Sequence, residues 1–457
     1  MEITDKETII SLFNKQKNWN AANKHDYNDR IDRLKRLKSG VIKYEQRIKD
    51  ALWTDLHKSP EESYLTEIYL IIKEIDYHIK HLKRWMKPMR VKTPFYMFPS
   101  NSVIEYEPLG TSLIIAPWNY PFQLLINPLV GALSSGCTAI LKPSPYVPKV
   151  SEIIQEMITE YFRSEEVAVC QGGRDVNQSL FKLSFDIIFF TGSPMLGKTV
   201  MRAAAENLTP VVLELGGKSP CIVDKDADIN IAARRIAWGK TVNAGQTCIA
   251  PDYLLAHQEI KDRLISRIAE NIEEMFGSDI KSNQYYPRIV NEKAMNRLQT
   301  LMKHGNIYSG GEVSLEERYI TPTIIDGSEP QHPIMQEEIF GPILPVMTFT
   351  ERAEVISYVN GHEKPLALYY FGDKKNGKDL MSQIPFGGGC INDTVMHIAN
   401  HNLPFGGVGN SGLGKYHGRE SFKAFSNAKS ILITPVFMDL PFRYPPFRSF
   451  DFIKKFF

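Results

Sequence analysis

Apolar residues recur at three- and four-residue spacing from Leu65 through Ile68, Ile71, Ile72, Ile75 and Ile79 to Leu82. That period marks one face of a helix, and Pro88 ends it. The pattern predicts that the first 90 residues are helical. Beyond Pro88 the period changes. Short apolar runs at 112–116, 139–141, 167–169, 187–190 and 211–213 read as strands, with helical segments filling the gaps. A second alternating block runs from about Ile222 to Ile391. Strand–helix alternation predicts an α/β fold with a parallel sheet covered on both faces. Ligands of such sheets bind at the carboxyl ends of the strands.

Three stretches stand apart. The 31 residues from Thr111 to Leu141 carry no charge. A membrane span needs about 20 apolar residues, but Pro117, Asn119, Pro121, Gln123, Asn127 and Pro128 interrupt this run, which is expected to be buried strand, turn and helix. Lys80, Lys83, Arg84, Lys87, Arg90 and Lys92 form a basic run without an acid. Its expected role is a solvated helix end rather than an anion-binding surface. The segment 436–457 holds Phe437, Phe442, Tyr444, Phe447, Phe450, Phe452, Phe456 and Phe457 among three prolines. It is too proline-rich and charged to span a bilayer. Packing on its own chain is the expectation, ahead of a partner subunit, a pocket cover or a peripheral membrane contact.

Composition narrows the class. The 457 residues are 43% hydrophobic and 23% charged, with 54 basic against 52 acidic side chains. That is ordinary globular usage, sufficient for more than one core, and nothing in it calls for a nucleic-acid partner. Five widely spaced cysteines (Cys137, Cys170, Cys221, Cys248, Cys390) argue against a disulfide framework or zinc knuckle and point to a reducing, cytoplasmic setting. The residues from Met1 to Lys6 open no apolar run of signal-peptide length.

Gly192-Ser193-Pro194-Met195-Leu196-Gly197-Lys198-Thr199 fits the P-loop pattern. A nucleotide triphosphatase would, however, leave stronger motifs unexplained. In Asn243-Ala244-Gly245-Gln246-Thr247-Cys248-Ile249-Ala250-Pro251-Asp252, small residues crowd a single cysteine, which a substrate could then approach. In Val211-Val212-Leu213-Glu214-Leu215-Gly216-Gly217-Lys218, a carboxylate directly follows an apolar strand. Such a group is costly to bury unless paired or used, and burial raises its pKa toward that of a general base. Pro117-Trp118-Asn119-Tyr120-Pro121 holds amide donors suited to an oxyanion. Glu337-Glu338-Ile339-Phe340-Gly341-Pro342 and Pro404-Phe405-Gly406-Gly407-Val408-Gly409-Asn410-Ser411-Gly412 complete the set.

Taken in this order, the five segments resemble the aldehyde dehydrogenase superfamily, and most closely its class 3 branch of fatty and aromatic aldehyde dehydrogenases. The match runs from about Leu65 to Ser430. The resemblance implies a Rossmann-like cofactor domain at 1–90 and 111–213, a catalytic domain at 214–400, a bridging β-element at 91–110 and 420–435, and the aromatic tail at 436–457. It implies Cys248 as nucleophile, Glu214 as general base and Asn119 as oxyanion-hole side chain, joined by the Cys248 N–H. Lys142 matches the lysine of the adenosine ribose, and Trp118 a neighbour of the cofactor. Gly192, Ser193 and Gly197 match the pyrophosphate turn, which accounts for the false P-loop. Leu215 and Gly216 stand at the cofactor, Glu338 and Phe340 match the nicotinamide-ribose pair, and Tyr120 and Phe405 match the substrate tunnel. Lys240 matches a position near the site, with no role assigned.

The implied reaction is NAD- or NADP-dependent oxidation of a medium- or long-chain aliphatic or aromatic aldehyde to the acid, through a cysteine thiohemiacetal and thioester. A homodimer is implied as well. The presence of Glu214 favours hydrolysis over transfer to coenzyme A. A catalytically silent relative is disfavoured by the intact Cys248, Glu214 and Asn119. One departure stands out: the family's Lys-Pro-Ser-Glu is here Lys142-Pro143-Ser144-Pro145. The absent carboxylate would have repelled a 2′-phosphate, so use of NADP is expected. His397 and His401 are expected to be structural, and no metal is expected.

Overall fold

The computed structural model describes residues 3–23, 25–303, 305–439, 443–447 and 450–454. Its first sheet has six strands in the spatial order Gly412–Leu413, Val211–Leu215, Ile187–Gly192, Thr111–Ile115, Thr138–Lys142 and Val167–Val169. Five run parallel, and Gly412–Leu413 joins Val211–Leu215 antiparallel. Thr111–Ile115 and Thr138–Lys142 are buried at every position, as strands covered on both faces must be. The expected strands are all present, most of them longer by a residue or two. The extension of Val211–Leu215 matters, because Glu214 lies inside the strand instead of just after it. It is paired to Thr191 on one side and Gly412 on the other. The extension comes from pairing on both sides, with Thr191 and Gly192 of the neighbouring parallel strand and with the two-residue strand arriving from two hundred residues later.

The uncharged stretch resolves into strand, turn, helix and strand. The helix Gln123–Ser135 is buried along its whole length and stops at Gly136, whose φ of 94° suits glycine. Among the described residues, no helix is long and apolar enough to cross a membrane.

The second sheet has seven strands in the order Asn306–Ser309, Thr323–Asp326, Ile343–Phe349, Tyr253–His257, Pro220–Val223, Ala367–Phe371 and Gly388–Ile391. All are parallel except the first. A smaller antiparallel sheet joins Met89–Val91, Asn101–Pro108 and Ser426–Ile433.

The N-terminal region is helical: Lys6–Ala22, Tyr27–Leu56, Pro60–Ser63 and Tyr69–Trp85. The expected period from Leu65 is broken once, because Tyr64–Ile68 forms a π-turn ahead of Tyr69–Trp85. One hydrophobic core runs from these helices through both large sheets.

The basic run is exposed at all six positions, on the last helical turns and the strand that follows. The tail departs from expectation. Val436, Phe437, Tyr444, Phe447 and Phe450 are exposed instead of packed on their own chain. Interrupting prolines and charges leave this segment no continuous apolar face to fold down. Phe442, Phe456 and Phe457 lie outside the described residues.

Candidate active site

A cavity of about 600 Å³ lies at the join of the two large sheets, at the carboxyl ends of the strands. Trp118, Asn119, Tyr120, Gly192, Ser193, Glu214, Leu215, Gly216, Cys248, Glu338, Phe340 and Phe405 all line it. Lys142, Gly197 and Lys240 do not.

Asn119 follows the strand Thr111–Ile115 in a turn bounded by Pro117 and Pro121. It is 2% exposed. Its Nδ2 donates to the Gln246 carbonyl at 3.0 Å, which leaves its second N–H for a ligand. Asn243 Nδ2 donates back to the Asn119 carbonyl at 2.9 Å and to Gln246 O at 3.1 Å. These bonds lock the asparagine turn to the cysteine turn. Asn243 and Ala244 sit at φ 51°, a strained setting for residues with side chains, and Glu62 Oε1 accepts the Asn243 N–H at 2.8 Å. Tyr120 and Thr247 share a hydrogen bond of 2.6 Å beside Cys248.

Burial pushes the Cys248 thiol well above its ordinary value, and the Glu338 and Glu214 carboxylates add to the effect. The thiol therefore rests protonated and needs an acceptor for its proton. Burial also holds Glu214 well above the usual carboxylate range, with Lys415 pulling weakly the other way. Neither Glu214 oxygen has a hydrogen-bond partner among the described residues. Gly406, at φ 150°, makes room for it: a Cβ there would stand 2.8 Å from Glu214 Oε1.

The opposite side of the cavity fits a nicotinamide dinucleotide. The twelve-residue helix Pro194–Ala205 opens here, and the Ser193 side chain caps it by accepting from Leu196 N. Such an end attracts pyrophosphate. A Cβ at Gly197 would lie 2.7 Å from Leu215 Cδ2, so a larger residue would have to displace the Leu215 side chain at the cofactor face. Lys198 is exposed and Thr199 Oγ1 bonds back to Met195 O, which leaves no P-loop geometry. A Cβ at Gly216 would meet Glu338 Oε2 at 2.1 Å. Glu338 Oε1 and Thr191 Oγ1 are buried without partners among the described residues. Polar atoms left bare in this way call for a polar ligand. Burial pushes Glu338 up to about 8. Trp118 meets Phe340 edge-on, 5.4 Å between ring centres. Lys142 is buried, donates only to Pro143 O at 2.7 Å, and is pulled down to about 8 by burial. Lys240 is buried with no hydrogen-bond partner among the described residues.

The scaffold behind Glu338 carries no sequence signal. Arg297 donates to the carbonyls of Glu338 (3.0 Å) and Ile339. Asp252 accepts the Ile339 N–H at 2.9 Å and pairs with Lys218 at 2.6 Å. Lys218 in turn holds the carbonyls of Ile334 and Glu337. Spacing cannot reveal these roles, because every partner is tens of residues away. His401 is structural, donating to the buried Glu74 at 2.7 Å. His397 lies near Cys390 Sγ, at 3.6 Å. Among the described residues no cluster could hold a metal ion.

A buried carboxylate and a thiol on one cavity, open to a dinucleotide cradle, define a cofactor-dependent oxidoreductase acting on carbonyl groups. Comparison with known proteins makes the class specific. The model of the aldehyde dehydrogenase family matches residues 7–431. The chain is 46% identical over 443 residues to the 4,4′-diaponeurosporen-aldehyde dehydrogenase of Staphylococcus aureus, covering 96% of each. It is 40% identical to the dimeric NADP-preferring aldehyde dehydrogenase of Canis lupus familiaris, over 94% of this chain and 95% of the relative. A solved substrate-bound Staphylococcus aureus AldH superposes with a TM-score of 0.96 at 45% identity, covering 100% of both chains. The chain belongs to the aldehyde dehydrogenase family, in its class 3 branch, and is an NAD(P)-dependent enzyme.

Proposed function

We propose that this enzyme oxidises medium- and long-chain aliphatic or aromatic aldehydes to free carboxylic acids, with Cys248 as nucleophile, Glu214 as general base and Asn119 as oxyanion donor. The observation that carries the reading is the character of the approach. Leu65, Tyr69, Leu70, Trp238, Val242, Met396, Ile398 and Phe405 line the cavity beyond Cys248, and none of them is charged. An apolar chain gains about 25 cal/mol per Å² buried along such a wall. The Staphylococcus aureus relative is named for 4,4′-diaponeurosporen-aldehyde.

In this mechanism the Cys248 thiol passes its proton toward Glu214 and the thiolate attacks the aldehyde carbon. The raised proton affinity of Glu214 suits it as acceptor. The free Asn119 N–H and the Cys248 N–H meet the new oxyanion, each such donor being worth roughly 3 kcal/mol. The bound cofactor supplies the hydride acceptor. Ser193, Gly216, Glu338 and Phe340 would hold it from the cavity wall, with Gly197 and Lys142, outside that wall, serving its pyrophosphate and adenosine ribose. Glu214 releases the thiol proton to solvent and, ionised again, removes a proton from water, which attacks the thioester carbonyl; the acid leaves and Cys248 departs as the thiolate. The two unpartnered Glu214 oxygens leave room for that water. This supports hydrolysis over transfer to coenzyme A.

With Pro145 in place of a carboxylate and a buried ammonium at Lys142, both NAD and NADP are accepted. The three-stranded sheet joins two copies into a homodimer, as its free outer strand Ser426–Ile433 suggests.

The test is reduced-cofactor absorbance with hexanal and a long-chain aldehyde, using NAD and NADP, for wild type and Cys248→Ser. Turnover lost in the variant, with free acid as product, supports the reading. Unchanged turnover in Cys248→Ser removes the nucleophile. A product formed only with coenzyme A removes the hydrolytic step.

A further inference from the structure

We propose that the buried Lys58–Glu67 ion pair is a positioning clamp that aims Asn119 at the oxyanion. The inference rests on the oxyanion role of Asn119 and adds what holds it in place. Lys58 follows the long helix Tyr27–Leu56, directly after His57 in left-handed conformation. Glu67 projects from the π-turn Tyr64–Ile68. Both side chains are wholly buried, and Lys58 Nζ meets Glu67 Oε1 at 2.5 Å.

A buried pair of this kind is a poor source of stability, because desolvation offsets its attraction. What it does here is grip one turn from both ends. Lys58 Nζ donates to the Asn119 carbonyl at 3.2 Å and lies 4.2 Å from the centre of the Tyr120 ring. Glu67 Oε2 accepts the N–H groups of Phe122 (2.9 Å) and Gln123 (3.3 Å), where the helix Gln123–Ser135 begins. The cation thus holds the carbonyl of the catalytic asparagine, and the anion holds the amides just beyond it. The π-turn supplies the reach. Single π-turns inside helices recur at functional sites, where the extra residue re-aims a side chain. The hydrogen bonds of the pair reach the asparagine turn at the Asn119 carbonyl and the Phe122 and Gln123 amides, and none of them goes to Cys248 or Glu214.

The experiment separates aiming from folding. Lys58→Met and Glu67→Gln each leave one charge without its partner and test the pair directly. The double variant Lys58→Met/Glu67→Met leaves no unpaired charge and removes the grip on the Asn119 carbonyl and the Phe122 and Gln123 amides together, so its thermal stability is measured alongside its kinetics. The conservative Lys58→Arg keeps the charge. For each, thermal stability, the KM for aldehyde and for NAD, the steady-state kcat, and the pre-steady-state rate of the reduced-cofactor burst are measured. The same set is repeated with Asn119→Ala added.

The clamp predicts that the double variant stays folded, keeps both KM values within about twofold, and loses up to about 100-fold in burst rate. Lys58→Arg regains part of that loss. Adding Asn119→Ala to the double variant costs far less than Asn119→Ala costs the wild type, because the donor is already misplaced. A double variant with wild-type burst rate overturns the clamp while leaving the oxyanion role intact. Fully additive losses overturn it too, since the pair would then act elsewhere. An Asn119→Ala single variant with wild-type burst rate overturns the oxyanion role itself, and the clamp with it. Should the double variant fail to fold, Glu67→Gln carries the same burst-rate and additivity comparison.

Discussion

Glu214 is asked to do two things that burial makes compatible. A carboxylate held above its usual range is a stronger base once ionised, and it ionises only at higher pH. The base is the deprotonated form, so deacylation rises with pH and its inflection lies well above the ordinary carboxylate value. A kcat profile inflecting near 4 would contradict this. Glu214→Gln should slow the first burst of reduced cofactor, because the Cys248 thiol loses its proton acceptor, and should lose about 10²- to 10⁴-fold in steady-state turnover. Lys142 behaves in the opposite sense. Burial lowers it to about 8, so the free enzyme loses this positive charge as pH rises through that value. Affinity for NADP, with its extra phosphate, should fall across that range more than affinity for NAD. Lys142→Met should abolish the difference, which fluorescence titration with the two cofactors measures. Cys248, Glu214 and Asn119 could be picked out as candidates because each stands in a local pattern (a small-residue turn, a strand end, a proline-bounded loop), their roles came from the family resemblance, and the fold brings all three to one cavity. Arg297 and Asp252 could not, because a salt bridge or carbonyl contact across the fold leaves no trace in spacing.

At the scale of elements, the helix Tyr69–Trp85 is fastened to the C-terminal loops chiefly through the buried Glu74, with Tyr77 Oη donating to Asn402 Oδ1 at 2.9 Å beside it. Glu74 is buried and receives His401 (2.7 Å), His78 (3.1 Å) and the Gly418 N–H (2.6 Å). Burial alone would raise it, but the hydrogen bonds from His401 and His78 prevail and hold it well below the usual carboxylate range. A lowered folded pKa contributes stability that is present above the unfolded value, near 4.5, and is lost as pH falls through the folded one. Glu74→Gln should therefore destabilise the protein at pH 7 by roughly 3 kcal/mol. It should also flatten the acid limb of the stability curve below pH 5, as followed by denaturant unfolding at several pH values. A steeper acid limb in the variant would contradict the sign. The amphipathic period of this helix could be read directly from the sequence. Its anchor could not, since His401 and Gly418 lie more than three hundred residues away. The parallel strands were equally legible, because burial on both faces forces continuous apolar runs. The strand Gly412–Leu413, which draws Glu214 into the sheet, has no such signature.

The whole molecule presents an open edge. Ser426–Ile433 forms the outer strand of the three-stranded sheet, and its far side has no strand partner among the described residues. Ser100 and Thr434 share a 2.8 Å hydrogen bond, which brings the exposed Phe95 and Phe98 to the same end of the sheet as Val436 and Phe437. An unpaired edge of eight residues beside exposed aromatic side chains is a template for association. A second copy using the same surface satisfies the edge and closes the assembly by two-fold symmetry. Light scattering after size exclusion should therefore give about twice the 52.1 kDa of one chain. Leu432 and Ile433 are half exposed on this strand. Leu432→Asp/Ile433→Asp would place charge in the interface, which is costly there, and should shift the enzyme to monomer at micromolar concentration. Asn119, Glu214 and Cys248 reach the cavity from a single chain, so the monomer should retain its first-turnover burst even where long-term stability falls. A wild type that runs as a monomer, or a variant that remains a dimer, would show that this edge is not the contact.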